Sequence, residues 1–361
     1  MSSEERLQAI RERIDSLDSE LQRLINERAK LAQEVAEVKL AAGESAVFYR
    51  PEREAQVLRR VKERNEGPLA AEAMARLFRE VMSACLALEQ PMKIAFLGPE
   101  GTFSEEAVVK HFGHSAVTLP LAAFDEIFRE VEAGSADYGV VPVENSTEGA
   151  INLTLDLMLK TPLKICGEVE LRIHDHLMGN VSSLAEVKRV YSHSQSLAQC
   201  REWLDSNLPG VERVAVSSNA EAARLSAEEA GSAGIAGQAA AELYNISILE
   251  SNIEDDPNNT TRFFILGRND VPVSGDDKTA LILSAKNRPG ALSQLLEPLA
   301  RNGISMSRIE SRPSRQGMWE YTFFVEIEGH RDDALIAAAL SELEQEAAMF
   351  KILGSFPKAV L

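Results

Sequence analysis

Cysteine and tryptophan are scarce in this 361-residue chain, at 3 and 2 residues. Cys85, Cys166 and Cys200 are an odd number, with no C-x-x-C pair and no histidine at zinc-binding spacing. Neither a disulfide framework nor a structural zinc is indicated, and three free thiols are expected. No stretch approaches the roughly 20 apolar residues that cross a bilayer. The first residues, through Glu4 and Glu5, are polar and acidic, unlike a signal peptide. A cytoplasmic protein with no membrane partner is therefore expected. No fixed-period repeat and no low-complexity tract is present. No G-x-G-x-x-G follows a predicted strand and no G-K-[ST] occurs, so a nucleotide cofactor is unsupported; the expectation is no cofactor and no metal. Cations are the minority charge, 38 against 56 acidic residues for a net −18, which argues against nucleic acid and anionic membranes as partners. The remaining composition, 45% apolar and 26% charged, is that of a globular protein, and the length predicts two or three domains.

Three segments differ in texture. Residues 1–90 hold 15 basic and 17 acidic residues, leaving 23 and 39 for the rest. Leu7, Ile10, Ile14, Leu17, Leu21, Leu24, Leu31, Val35 and Val38 recur at alternating spacings of 3 and 4, which predicts one long amphipathic helix. Gly43 is expected to end it, Pro51 to open a second helix and Gly67-Pro68 to stop that one. A third runs from about Leu69 to Gln90. So short a helical segment has little core of its own, and the seam on the first helix implies packing against a second copy of the chain. From Met92 onward, short β runs alternate with helices in the α/β manner, with strands expected at 93–97, 138–143, 189–191, 214–216, 232–236 and 263–266. After a polar linker, 267–277, the order β, α, β, β, α, β is that of a ferredoxin-like module.

Arg28 occupies the one seam position that should be apolar, so an anionic partner is expected to meet it. Lys39 lies about 16 Å further along the helix and about 20° around it, placed to approach the same ligand. Arg11 is on the order of 25 Å away and about 100° around, so it reaches such a ligand only from a partner chain. The alternative for Arg11 and Lys39 is an ordinary surface ion pair. Residues 7–18, Glu27-Arg28, Val38-Lys39, the Pro-Glu-Arg-Glu of 51–54 and Arg76-Leu77-Phe78 together resemble the all-helical chorismate mutases. That resemblance implies an intertwined helical dimer in which Arg11, Arg28 and Arg53 clamp the two carboxylates of chorismate. It further implies that Lys39 and Glu89 hydrogen-bond the ether oxygen and Glu54 the ring hydroxyl. The loop 41–49 is about two residues longer than in that family, which leaves Arg50 as the alternative to Arg53. The reaction is unimolecular, so positioning and charge suffice. Glu89 must be protonated to donate, which predicts a mutase favoured at lower pH.

In the central segment the loop 98–104, with Thr102 and Ser104, lies between a strand and a helix and is either an anion site or a tight turn. Glu144, Asn145, Ser146 and Thr147 directly follow a strand, as do Ser192, His193 and Gln199, where α/β proteins bind ligands. His174 and His176 flank Asp175 without a third metal-ligand cluster. The blocks 98–104, 140–151, 191–200 and 259–263 together resemble prephenate dehydratases. That resemblance implies two α/β lobes like a periplasmic binding protein, with the site in their cleft. Thr261 is central in it, Glu144, Asn145, Ser192 and Gln199 line it, and Arg262 is a carboxylate binder. A threonine hydroxyl is a poor acid, so Thr261 reads as a hydrogen-bond donor, with Glu144 or His193 as candidate proton source. His193 is alternatively structural.

In the last segment, the Asn-Arg-Pro-Gly-Ala-Leu of 287–292 and the Glu-Ser-Arg-Pro of 310–313 resemble the phenylalanine-binding motifs of ACT domains attached to prephenate dehydratases. The residues so implied are Gly290, Ala291, Leu292, Glu310, Ser311, Arg312 and Pro313. The expectation is thus a helical mutase at 1–91, a dehydratase at 92–270 and an ACT regulator at 278–357. As a whole the chain resembles the bifunctional enzymes that convert chorismate and then prephenate, inhibited by phenylalanine and built as a homodimer or higher homo-oligomer. The rivals are a non-catalytic amino-acid sensor of the same architecture and an enzyme acting on arogenate.

Overall fold

The computed structural model describes residues 2–41, 49–285, 288–313 and 321–361. The expected helix-ending Gly43 and the motif residue Asn287 lie outside them. The N-terminal segment is three helices, α1 (Ser3–Ala41), α2 (Pro51–Glu63) and α3 (Ala71–Glu89). A capping box starts α1: Ser2 Oγ accepts the Glu5 amide at 3.2 Å while Glu5 Oε2 accepts the Ser2 amide at 2.7 Å. Pro51 opens α2, as expected for a residue with no amide to satisfy. Every residue from 2 to 27 is exposed, and the seam leucines, isoleucines and valines of α1 are 46–70% exposed. A helix about 58 Å long thus presents an uncovered apolar stripe.

The central segment forms two lobes. The first contains β1 (Lys93–Leu97), α4 (Phe103–Phe112), β2 (Val117–Leu121), α5 (Phe124–Ala133), β3 (Tyr138–Asn145), β4 (Gly149–Ala150), α6 (Asn152–Met158) and β5 (Lys164–Arg172). The chain then crosses once to the second lobe. That lobe holds β6 (His176–Met178), β7 (Arg189–His193), α7 (Ser194–Gln199), α8 (Arg201–Asn207), β8 (Glu212–Val216), α9 (Asn219–Glu228), β9 (Ser232–Ala236), α10 (Gln238–Leu243) and β10 (Ile248–Glu250). A second crossing, residues 251–259, returns the chain to the first sheet as β11 (Thr260–Gly267). The sheet orders are β2-β1-β3-β11-β5 and β10-β6-β9-β7-β8. The expected block at 259–263 therefore does not precede a strand but lies largely within β11. Strands β2, β5, β6 and β10 carry no clear sequence signal. In β5 the reason is physical: buried Glu168 interrupts the apolar pattern, and it is tolerated because Arg262 and Lys278 meet it.

The C-terminal unit, β12 (Asp277–Ser284), α11 (Ala291–Arg301), β13 (Met306–Pro313), β14 (Tyr321–Glu328), α12 (Ala334–Glu346) and β15 (Met349–Pro357), is antiparallel with strand order β13-β14-β12-β15. One face buries Leu281, Leu283, Val325 and Ile327 against the two helices. The other places Ala280, Ile282, Phe324, Leu353 and Phe356 in one core with Val141, Ile165 and Phe264 of the first lobe. Because side chains alternate along a strand, the regulatory-type sheet is buried on both faces.

Candidate active sites

On the N-terminal helices, Arg28 and Lys39 are half-buried on the C-terminal half of α1, which packs against α3. Both charges act on Glu89 at the end of α3; burial nonetheless raises its carboxyl above the ordinary range, with Lys39 and Arg28 opposing. Arg11 lies far up the exposed half of α1, and Arg53 is exposed on the first turn of α2. Arg50 is engaged locally by Glu52 at 2.6 Å. Glu54 departs from expectation. Its carboxylate faces Arg79 at 3.1 Å, and Arg79 donates to the carbonyls of Lys110, at 3.1 Å, and His111 on α4. Glu54 is thus built into the contact between helices and central unit, because the buried Arg79 needs a counter-charge there, and not into the Arg28–Lys39–Glu89 group.

Between the lobes, β3 and β11 run antiparallel with Asn145 opposite Thr261 and Glu144 opposite Arg262. Asn145 Nδ2 donates to Thr261 Oγ1 and to Asn259 Oδ1, both at 2.9 Å, and its Oδ1 accepts Thr147 Oγ1 at 2.6 Å and the Thr147 amide at 3.0 Å. Gln199 of the second lobe donates to Thr147 Oγ1 and accepts from Asn259 Nδ2, each at 3.1 Å. Asn145, Thr147, Gln199, Asn259 and Thr261 therefore form one amide and hydroxyl network across the two lobes. Within it Thr261 Oγ1 is an acceptor, which leaves its own proton to donate elsewhere. Asn259 was visible in its sequence block but had no assigned role.

Other expected residues fall at the margin of this network. Ser146 Oγ accepts the Thr260 amide at 3.0 Å. Ser192 is fully buried, donating to Asn219 Oδ1 at 3.1 Å and to the Ile235 carbonyl at 3.2 Å. His193 caps α7, its Nδ1 accepting the Gln195 amide at 3.4 Å, the structural alternative. Thr102 spends its hydroxyl on the Leu97 and Pro99 carbonyls, and Glu105 Oε2 occupies the Gly101 amide at 2.6 Å, so the 98–104 loop already carries its own carboxylate. Ser104 is buried. Arg262 points away from Thr261, as alternation along β11 requires. Its Nε bonds Glu168 at 2.8 Å and its Nη1 bonds Glu326 of β14 at 3.0 Å, so it does not serve as a carboxylate binder in the cleft.

Two carboxyls near the crossings, Asp175 buried and Glu106 half-buried, had no sequence signal. Asp175 is fully buried on the first crossing and neither of its oxygens has a partner within ordinary hydrogen-bond distance; burial pushes it up to about 7, against a weaker pull from the Ser196 hydroxyl. Its neighbour His174 pairs with Glu254 of the second crossing at 3.0 Å, and Glu254 Oε2 accepts the Asp175 amide at 3.1 Å. Glu106 on α4 is likewise raised to about 7 by burial, and its Oε1 is unpartnered. His176 Nδ1 accepts the Asn252 amide at 3.2 Å.

In the C-terminal unit, Gly290 has a left-handed φ of 77° and precedes Ala291 and Leu292 at the start of α11. Glu310 and Arg312 lie on the sheet face turned to the first lobe, where Arg312 pairs with Asp156 at 2.8 Å; Ser311 and Pro313 lie on the opposite face.

Comparison with known proteins matches residues 10–90 to chorismate mutase type II, 94–271 to prephenate dehydratase and 279–345 to the ACT domain. Over the full length of both chains, the protein is 59% identical to the bifunctional chorismate mutase/prephenate dehydratase of Stutzerimonas stutzeri and 58% to that of Pseudomonas aeruginosa. Among solved structures, a prephenate dehydratase from Arthrobacter aurescens in complex with L-Phe superposes with a TM-score of 0.69 at 33% identity, covering 74% of this chain and 90% of that one.

Proposed function

The chain belongs to the bifunctional chorismate mutase/prephenate dehydratase family, and from that premise we propose which of its residues perform each reaction. It is an enzyme that rearranges chorismate to prephenate and converts prephenate to phenylpyruvate. The proposed division is a mutase at 1–91, a dehydratase at 92–270 and an ACT regulator at 278–357.

For the mutase, Arg28 and Arg53 with Arg11 of a second copy hold the substrate carboxylates, while Lys39 and protonated Glu89 meet the ether oxygen as its bond breaks. Guanidinium forks fix a dicarboxylate in its reactive fold, and donors near the breaking bond stabilise developing charge. The uncovered stripe on α1 supports a homodimer, since apolar side chains at heptad spacing are stable only when a partner helix covers them. The working location is the cytoplasm.

For the dehydratase, prephenate takes up one proton and loses carbon dioxide and water, driven by aromatisation. The observation that carries the assignment is the Thr261 hydroxyl. Asn145 fills its acceptor side, so its proton is directed at the departing ring hydroxyl. Asn145 and Gln199 orient it, whereas Glu144, a candidate proton source in the sequence, lies on the opposite face of the sheet with Arg262 and Arg308. Phenylalanine acts at the ACT unit through 290–292 and 310–313, a reading supported by the L-Phe complex of the Arthrobacter aurescens relative.

The test is incubation of the full chain with chorismate, without metal or nucleotide, following chorismate loss and phenylpyruvate formation with and without phenylalanine. Phenylpyruvate suppressed by phenylalanine supports the whole reading. Accumulated prephenate would overturn the Thr261 assignment, and phenylpyruvate insensitive to phenylalanine would overturn the regulatory one.

A further inference from the structure

Four side chains between the lobes close into a ring in which every hydrogen bond points the same way round. Asn145 Nδ2 donates to Asn259 Oδ1 at 2.9 Å and Asn259 Nδ2 to Gln199 Oε1 at 3.1 Å. Gln199 Nε2 donates to Thr147 Oγ1 at 3.1 Å, and Thr147 Oγ1 returns a proton to Asn145 Oδ1 at 2.6 Å. The backbone sets the direction, because the Thr147 and Glu148 amides, at 3.0 and 3.2 Å, also donate to Asn145 Oδ1 and hold the oxygen on that side. The Asn145 nitrogen thus sends one proton into the ring and the other to Thr261 Oγ1 at 2.9 Å. Asn145 and Asn259 are 4% and 1% exposed, so a broken link leaves a polar atom unpaired away from solvent.

We propose that Asn259 is a positioning residue of the dehydratase: its amide, acceptor toward Asn145 and donor toward Gln199, completes the ring and keeps Asn145 aimed at Thr261. The proposal rests on the reading of Thr261 as the proton-directing hydroxyl of the prephenate site. Asn259 ends the second crossing, and its oxygen meets the same Asn145 nitrogen as Thr261 Oγ1 does. That crossing is tied to the second lobe by the Asp255 amide, which donates to the Gln199 carbonyl at 2.7 Å. The Asp255 carboxylate adds to the tie by accepting the Glu202 and Trp203 amides at 3.0 and 3.2 Å. Asn259 therefore joins a crossing anchored on the second lobe to the strand of the first lobe that carries Asn145. Serving both neighbours takes an acceptor and a donor on one short side chain; a carboxylate of the same shape only accepts. Without the link Asn145 is free to turn, and misplacement of a reacting group by about 1 Å is enough to cost about 100-fold in rate.

The experiment uses the full-length protein with Asn259→Ala, Asn259→Asp, Asn145→Ala, Thr261→Val and the double variant Asn259→Ala/Asn145→Ala. Each is assayed for prephenate turnover as separate kcat and KM, and for chorismate loss in the same sample as a check on folding. Asn259→Ala is expected to lower prephenate kcat on the order of 10- to 100-fold, with mutase activity within about twofold of the parent. Asn259→Asp fills the same space and keeps the acceptor but cannot donate to Gln199, so its kcat at saturating prephenate is expected to fall at least about 10-fold as well. The double variant is expected to be no slower than Asn145→Ala alone, since Asn259 acts through Asn145. Parent-like kcat in either Asn259 variant, beside a defective Thr261→Val, would overturn the positioning role and leave the site reading intact. Parent-like turnover in Thr261→Val would overturn the site reading and the proposal with it. Losses that multiply in the double variant would overturn the route through Asn145, and so the proposal.

Discussion

Replacing Asp175 with asparagine is expected to stabilise the protein above pH 7 and to change little near pH 4. The carboxyl is fully buried and neither oxygen has a partner within ordinary hydrogen-bond distance. Burial raises its pKa from 3.8 to about 7, with Ser196 opposing, Glu254 adding and His174 opposing. Between those values the folded protein keeps a proton that the unfolded chain has released. The stability contributed by this proton is complete below pH 4 and is lost as the pH climbs to about 7. At about 1.4 kcal/mol per pKa unit, the loss is on the order of 4 kcal/mol. Asparagine has nearly the same shape and no charge to bury, so it escapes that loss. The charged and titratable groups facing Asp175 are His174 and Glu254 on the crossings, Glu106 on α4 and Cys200 after α7. They are present in both proteins and largely cancel in the difference. Thermal unfolding of parent and variant from pH 4 to 8.5 measures it. With about 2–4 °C per kcal/mol for a unit of this size, the variant's midpoint should exceed the parent's by roughly 10 °C at pH 8. A gap that does not change with pH would mean that Asp175 titrates alike in the folded and unfolded chain, and a variant less stable than the parent at pH 8 would mean that the buried carboxylate is not the liability.

Glu89→Gln should flatten the pH profile of the mutase, because the parent's activity declines as the raised Glu89 carboxyl ionises; an unchanged profile would remove Glu89 from the ether-oxygen site. Leu17→Asp, in the middle of the uncovered stripe on α1, should convert the proposed dimer to monomer in sedimentation and lower chorismate turnover at least 10-fold, while prephenate turnover stays within about twofold. Arg79→Ala should cost about 3 kcal/mol in chemical unfolding, since it strands the largely buried Glu54 carboxylate, 15% exposed; a cost under about 1 kcal/mol would mean that water reaches the site. Glu310→Ala should abolish inhibition by phenylalanine with both uninhibited activities retained, and unchanged inhibition would remove the 310–313 motif from the regulatory site.

What the sequence revealed and what it concealed divide along a physical line. The apolar seam of α1, the six elements of the ACT unit and the polar blocks around Asn145, Gln199 and Thr261 were legible because each is a local pattern with a fixed period or position. Residues whose roles depend on a partner from a distant element were not. Arg262 adjoins Thr261 and for that reason looks like a cleft residue. Alternation along β11 sends it to the other side, to Glu168 and Glu326, which lie 94 and 64 residues away in sequence. Glu54 looked like a ligand of the mutase site, yet it pairs with Arg79 of α3, which is itself bonded to α4 of the central segment. Asp175 gave no signal, since a lone aspartate between histidines is the same text whether it is solvated or sealed at a lobe crossing. Glu168, Arg262, Lys278, Glu326, Arg308 and Glu144 are three cations and three carboxylates drawn from two domains. Glu168 and Glu326 are the buried carboxylates, and removal of a cation that faces them leaves charge out of water, whereas Glu144 is 39% exposed. The ion pairs that join regulator to catalyst thus lie against the dehydratase sheet, with Glu144 at their open edge, and a regulatory movement that breaks the Arg262–Glu326 pair must also alter the strand that carries Thr261.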